Sequence, residues 1–215
     1  MDADDAQTVV VTPPAFEPVA IEDAKAWMGI DSDDNNHDTV VTLLIQAMRE
    51  YAENYTHSAF IQRTLRSYMP CWPVSDEGGN EIELDFPPLV SVSWIKYRDT
   101  SGALTTLAAD QYDVHDWRKP AVIVPAWGTS WPAHRYAMDA IQVQFVAGYP
   151  DGSPGGSASD ARANIPAQLK LWMQARAATL FKQREQLITG TIVNKIPREF
   201  SDALLDPLVI GTRYF

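Results

Sequence analysis

Two stretches far apart in the chain carry the same kind of amphipathic stripe, and neither can bury it alone. Across 164–187, Leu169, Trp172, Met173, Ala177, Leu180 and Phe181 recur at steps of three and four, forming one apolar face of an α-helix. Pro166 suits the first helical turn, where its missing N–H leaves nothing unpaired, and Gly190 is a stop past the end. Lys182 and Arg184 put cations where the helix dipole favours them. A lone helix of this length is marginal in water, so another segment must cover its stripe. That segment is predicted over 39–55, where Val41, Leu44, Ile45, Met48, Ala52 and Tyr55 repeat the pattern. The two stripes are natural partners, which implies a helical unit interrupted by a long insertion.

Inside the insertion the period changes from helical to alternating. Strands are expected over 60–69, 81–86, 90–98, 103–107, 111–114, 121–124 and 141–147. Asp76–Asn80 is expected as the turn between the first two, and Asp99–Gly102 as a hairpin turn. Short strands at this spacing mean an antiparallel sandwich or barrel-like domain. Ahead of it, 18–30 reads as a short helix ending at Gly29, with Ile21, Ala24, Trp27 and Met28 on its apolar edge. Asp31–Asp38 invites comparison with an EF-hand loop. However, Asn36 stands where glycine is needed and Thr42 where glutamate is, so the stretch reads as a polar turn supplying Asp38 as the next helix's N-cap. The fold class is therefore α+β. A small helical bundle (18–58 plus 164–190) carries an inserted antiparallel β-domain (60–148). Residues 1–17 are expected as a flexible arm, 149–163 as a flexible linker, and 191–215 as an apolar tail suited to docking.

A 46% hydrophobic, 21% charged composition is that of a soluble globular protein, and no apolar run approaches the roughly 18 residues of a membrane span. The net charge of −11 argues against affinity built on neutralising phosphates. It does not argue against a surface that DNA merely passes. One cysteine, Cys71, excludes an intrachain disulfide and a cysteine-cluster zinc site.

No catalytic constellation emerges. His37, His57, His115 and His134 sit in separate turns or strand ends with no HExxH spacing, and neither GxSxG nor a phosphate-loop motif occurs. Glu81, Glu83 and Asp85 share one face of a strand, which fits a solvated sheet edge better than an acid/base pair. No cofactor is implied, and the chain reads as a non-enzyme. One binding alternative is open in the residues themselves: a glycan- or peptide-binding β-module using Trp127 and Trp131 on the loop 125–132.

The order of features carries a resemblance that no single motif carries. It runs from Val19–Ile30 through an Asp-rich turn to Ala52-Glu-Asn-Tyr-Thr-His57 and Ile61–Leu65. It continues with Ile82–Val90, Val92–Gly102, Tyr112–Val114, Trp131-Pro132, Val143–Tyr149, Ile165-Pro166 and Phe181–Glu185. Over about 18–190 this resembles the head–tail connector (adaptor, head-completion) family of long-tailed bacteriophages, in the branch with an inserted β-domain. The resemblance implies a structural protein of the virion neck, assembled in the host cytoplasm. Such proteins form a ring, typically dodecameric, under the portal protein; the ring extends the DNA channel and receives a stopper or tail-terminator protein. DNA would pass without specific binding, and no membrane is involved. Carried onto this chain, portal docking is expected of Leu205, Leu208, Val209, Ile210, Arg213, Tyr214 and Phe215. Subunit contacts or the channel lining are expected of Glu50, Glu53, Lys170, Arg176 and Arg184.

Overall fold

Alternation decides the larger part of the architecture. The computed structural model describes residues 6–73, 80–150, 158–183 and 202–210, without the side chains of 158–160. The chain divides into two compact units. One comprises Met1–Ala15 and Ile61–Pro150, the other Phe16–Phe60 and Asp151–Phe215.

Among the described residues the first unit holds eight strands: β1 (Gln7–Thr12), β2 (Arg63–Met69), β3 (Ile82–Leu84), β4 (Leu89–Arg98), β5 (Leu104–Thr106), β6 (Tyr112–His115), β7 (Ala121–Pro125) and β8 (Ile141–Ala147). They form two antiparallel sheets, of order β1-β2-β8-β4-β5 and β3-β7-β6. Neither closes into a barrel. In the larger sheet the rows Leu65–Phe145–Val92 and Ser67–Val143–Ile95 place Leu65, Phe145, Val143 and Ile95 in the core. In the smaller one, Ile82 opposite Ile123 and Leu84 opposite Ala121 do the same.

Two expectations change here. Residues 7–12, expected within a flexible arm, form β1, because the β-branched run Thr8-Val-Val-Val-Thr12 pairs well with β2. The segments expected as a first hairpin, β2 and β3, belong to different sheets, and the partner of β2 is the distant β8.

The strands by which the chain enters and leaves this unit are neighbours, with Arg63 opposite Ala147. Just beyond, Gly148 has φ +128° and donates its N–H to Pro88 O at 2.9 Å. A Cβ there would lie 2.5 Å from the backbone carbonyl carbon and oxygen of Ile61, so only glycine fits the crossing.

The second unit is helical: α1 (Ile21–Met28), α2 (Asp38–Thr56), α3 (Ala158–Ala163) and α4 (Ala167–Lys182), with 3₁₀ turns at Asn35–His37 and Asp206–Leu208. Gly29 closes α1 in the left-handed conformation, φ 75°, with N–H bonds back to Ala26 and Lys25. The stripes of α2 and α4 pack together, burying Val41, Ile45, Met48 and Ala52 with Leu169, Trp172, Met173 and Ala177.

Several local readings are corrected. Pro166 caps α4 instead of opening it, and the helix ends at Lys182, short of the expected 187; residues 184–190 lie outside the described residues. Leu180 is exposed. Residues 158–163, expected within a linker, form α3, whose Ala-rich sequence favours helix and whose Ala161 is buried. Trp27 is 48% exposed, and the buried face of α1 carries Lys25 instead. Asp38 is the first residue of α2 and pairs with Lys25; the side chain that caps this region is Asp34, accepting from Asn36 N–H at 2.9 Å.

Candidate functional site

Most of the residues expected to make contacts lie in the helical unit, and the structure sorts them into free and committed. Glu53, expected on the polar side of α2, is only 2% exposed. It accepts from Arg49 Nη1 at 2.8 Å and from the Phe60 N–H at 3.1 Å. Arg49 Nε donates to Glu17 Oε2 at 2.8 Å. Burial disfavours the Arg49 charge, but Glu17 and Glu53 more than offset it and hold its pKa above the usual arginine value. Glu53 is therefore engaged inside its own chain, where a buried carboxylate is sustained by this cation.

Glu50 remains on the surface, accepting from Gln46 Nε2 at 3.0 Å, and Arg176 is half-buried. Lys170 reaches back to donate to Arg162 O at 3.1 Å, satisfying a carbonyl near the C-terminus of α3. Arg184 lies outside the described residues.

The C-terminal segment is held by a polar and aromatic seat. Tyr51 stacks on Trp172 with ring centroids 5.6 Å apart and on Tyr55 at 6.2 Å. Trp172 Nε1 donates to Asp202 Oδ1 at 3.3 Å, Tyr55 Oη donates to Asp206 Oδ1 at 2.8 Å, and Ile210 N–H donates to Thr56 O at 3.2 Å. The bond to Asp206 raises the Tyr55 phenol above its ordinary pKa. Leu205, expected to dock on another protein, is fully buried in its own chain. Leu208, Val209 and Ile210 stay half-buried, while Arg213, Tyr214 and Phe215 lie outside the described residues.

The tryptophan loop of the sheet unit divides its two residues. Trp127 is 100% exposed. Trp131 stacks on Trp72 at 4.5 Å and donates to Asn80 O at 2.9 Å, so it packs the loop. Trp72, a residue the sequence reading passed over, is the buried half of that stack and donates to Pro132 O at 2.9 Å. The expected solvated edge at β3 holds three acids with different roles. Glu81 pairs with Arg118 at 2.8 Å, Asp85 accepts from Thr8 Oγ1 at 2.7 Å, and Glu83 is half-buried. Among the described residues no group of three or more His, Cys, Asp or Glu side chains could hold a metal ion. No described helix is long and apolar enough to cross a membrane.

This arrangement can be set against known proteins. The chain matches, over 97% of its length and 97% of the other chain, a subunit in the structure described as the neck of an empty GTA particle computed with C6 symmetry (TM-score 0.72, 17% identity). Matches of the same coverage come from the virion of the native gene transfer agent (GTA) particle (0.68, 17%) and from the neck of the native GTA particle computed with C12 symmetry (0.66, 18%). At these identities the shared property is the fold. No curated protein sequence matches. Residues 19–109, spanning α1, α2 and strands β2 to β5, match the family model described as Phage gp6-like head-tail connector protein. The motifs from α1 to β4 lie within this segment, so over that part of its length the chain is similar to phage head–tail connector proteins.

Proposed function

We propose that the protein is a non-catalytic structural adaptor of a virion neck. Copies of it form a ring beneath the portal, continue the DNA channel and offer a platform to the stopper or tail proteins. The observation that carries this reading is the fold shared along nearly the whole of both chains with neck subunits of particles treated with C6 and C12 symmetry. A net charge of −11 supports a channel through which DNA slides without sticking. In this reading the end of the chain, with Leu208, Val209 and Ile210 followed by Arg213, Tyr214 and Phe215, docks on the portal. Glu50, Lys170, Arg176 and Arg184 meet neighbouring copies or the channel. Leu205 and Glu53 are internal supports. The glycan- or peptide-binding alternative retains Trp127 alone, since Trp131 is committed to Trp72.

The test is native mass measurement and negative-stain imaging of the purified chain, alone and mixed with portal rings from the same genome. Rings, or decoration of each portal by a stoichiometric set of copies, is the expected result. A persistent monomer that ignores the portal overturns the reading and turns attention to ligands at Trp127.

A further inference from the structure

The outer face of the larger sheet differs in chemistry from the rest of this acidic chain. Cross-strand pairing aligns Val9, Arg66, Gln144 and Trp94 in one row, and Tyr68, Gln142 and Lys96 in the next. Arg66 Nη2 donates to Gln144 Oε1 at 2.8 Å and Nη1 to Tyr68 Oη at 3.2 Å. The Arg66 guanidinium lies 5.1 Å, and the Lys96 ammonium 4.5 Å, from the Trp94 ring centroid. Both cations are thus oriented by neutral groups and half-exposed, and neither forms an ion pair with a carboxylate among the described residues. Elsewhere Lys25, Arg49, Arg98 and Arg118 are each paired with acids, in a chain where 28 acidic residues outnumber 17 basic ones.

The complementary surface lies along the edge of the smaller sheet. There β6 is an outer strand, and Asp113 on it, Asp110 in the turn before it and Asp116 just after it are all exposed. None of the three makes an ion pair among the described residues. Trp117, 75% exposed, follows Asp116 directly and adds an apolar group beside these charges.

We infer that the sheet face of Arg66, Trp94 and Lys96 docks the Asp110–Asp116 edge of a second copy of this chain. Two copies at −11 each repel, so association requires local charge complementarity to orient them. Because the two surfaces are different parts of one chain, the contact is head-to-tail, the type that gives a ring when the rotation between copies closes. The inference rests on the ring reading above and assigns the chemistry of its subunit contact.

Two full-length variants test it: Arg66→Glu with Lys96→Glu, and Asp110→Lys with Asp113→Lys and Asp116→Lys. Each alone should need at least about tenfold more protein than the wild type to form rings on portal. An equimolar mixture should recover wild-type assembly, because in an alternating ring each reversed surface meets a reversed complement. Thermal melts check that each variant folds; the milder pair Arg66→Gln and Lys96→Met replaces one that does not, with a smaller loss expected. If the wild type forms rings and either variant does so equally well, the inference is overturned and the function stands. A mixture that fails to recover also overturns it. Normal rings that lose salt-sensitive retention on duplex DNA would assign the face to DNA instead. A wild type that neither rings nor decorates portal overturns the function reading, and this inference with it.

Discussion

The two units of this chain solve the problem of a unique interior in opposite ways. The sheet unit buries Leu65, Ile82, Ile95, Ile123, Ile141 and Phe145 almost completely, and among its described residues only Ser67 and Gln142 are buried polar groups. The helical unit buries Lys25, Arg49, Glu53 and Asp202. A sheet is specified by one rule repeated strand after strand, since a one-residue slip would turn every side chain to the wrong face. The helical unit is gathered from separate pieces of chain, and apolar stripes alone leave helices free to slide. Directional pairs such as Arg49 with Glu17 and Glu53, or Trp172 with Asp202, give each piece one position. Buried polar groups here act as registration marks, at some expense in desolvation.

That contrast can be broken most forcefully in the sheet. Phe145→Ala leaves a cavity on the central strand and should destabilise the unit by about 4 kcal/mol, read as a lowered denaturant midpoint. Glu53→Ala in the helical unit should lose about 3 kcal/mol by removing the buried carboxylate that Arg49 Nη1 and the Phe60 N–H both donate to, with amide exchange rising first around 49–60. If Glu53→Ala proved neutral, the polar anchors would be incidental and the comparison would fail. A smaller effect, about 1 kcal/mol, is expected of Gly29→Ala, whose Cβ meets nothing within 4 Å but whose φ of 75° disfavours alanine. The mildest concerns pH. Arg98 hydrogen-bonds the Asp139 carboxylate and holds its pKa below the usual aspartate value. The stabilisation is present above the unfolded-state pKa of about 3.9 and is lost as pH falls through the lower folded value. Asp139→Asn should therefore flatten the acid limb of the sheet unit's stability curve while leaving the helical unit unchanged.

The same contrast explains what the sequence made legible. Ile141–Ala147 was bounded correctly from alternation alone, and the helical stripes met as their periodicity required. Periodicity could not tell which strand pairs with which: β2 finds β8 across some seventy residues of intervening chain, beyond any local signal. The run Thr8–Thr12 did carry a signal, three valines between threonines, but its acidic and proline-rich surroundings outweighed it. Among candidate contact residues, Glu53 and Leu205 are both buried in their own chain. Helical spacing identifies a face of α2 only approximately, and what engages the Arg49–Glu53 pair, Glu17 and the Phe60 amide, lies outside the helix; Leu205 was expected to dock from the resemblance and its apolar tail, which carry no sign of burial within the chain. The Arg66–Trp94–Lys96 cluster was invisible because its members sit on strands whose shared neighbour, β8, comes much later.

The pairing of Arg63 with Ala147 has a consequence for how such a protein can be varied. Antiparallel partners stand about 5 Å apart at their Cα atoms, so the chain leaves the sheet unit almost where it came in. Seen from the helices, the insertion that carries β2 to β8 is a tight loop, whose closure entropy is met internally by its own strand pairing. Such a module can lengthen, shrink or be exchanged without asking anything new of the helices, provided the two ends still cross at a glycine.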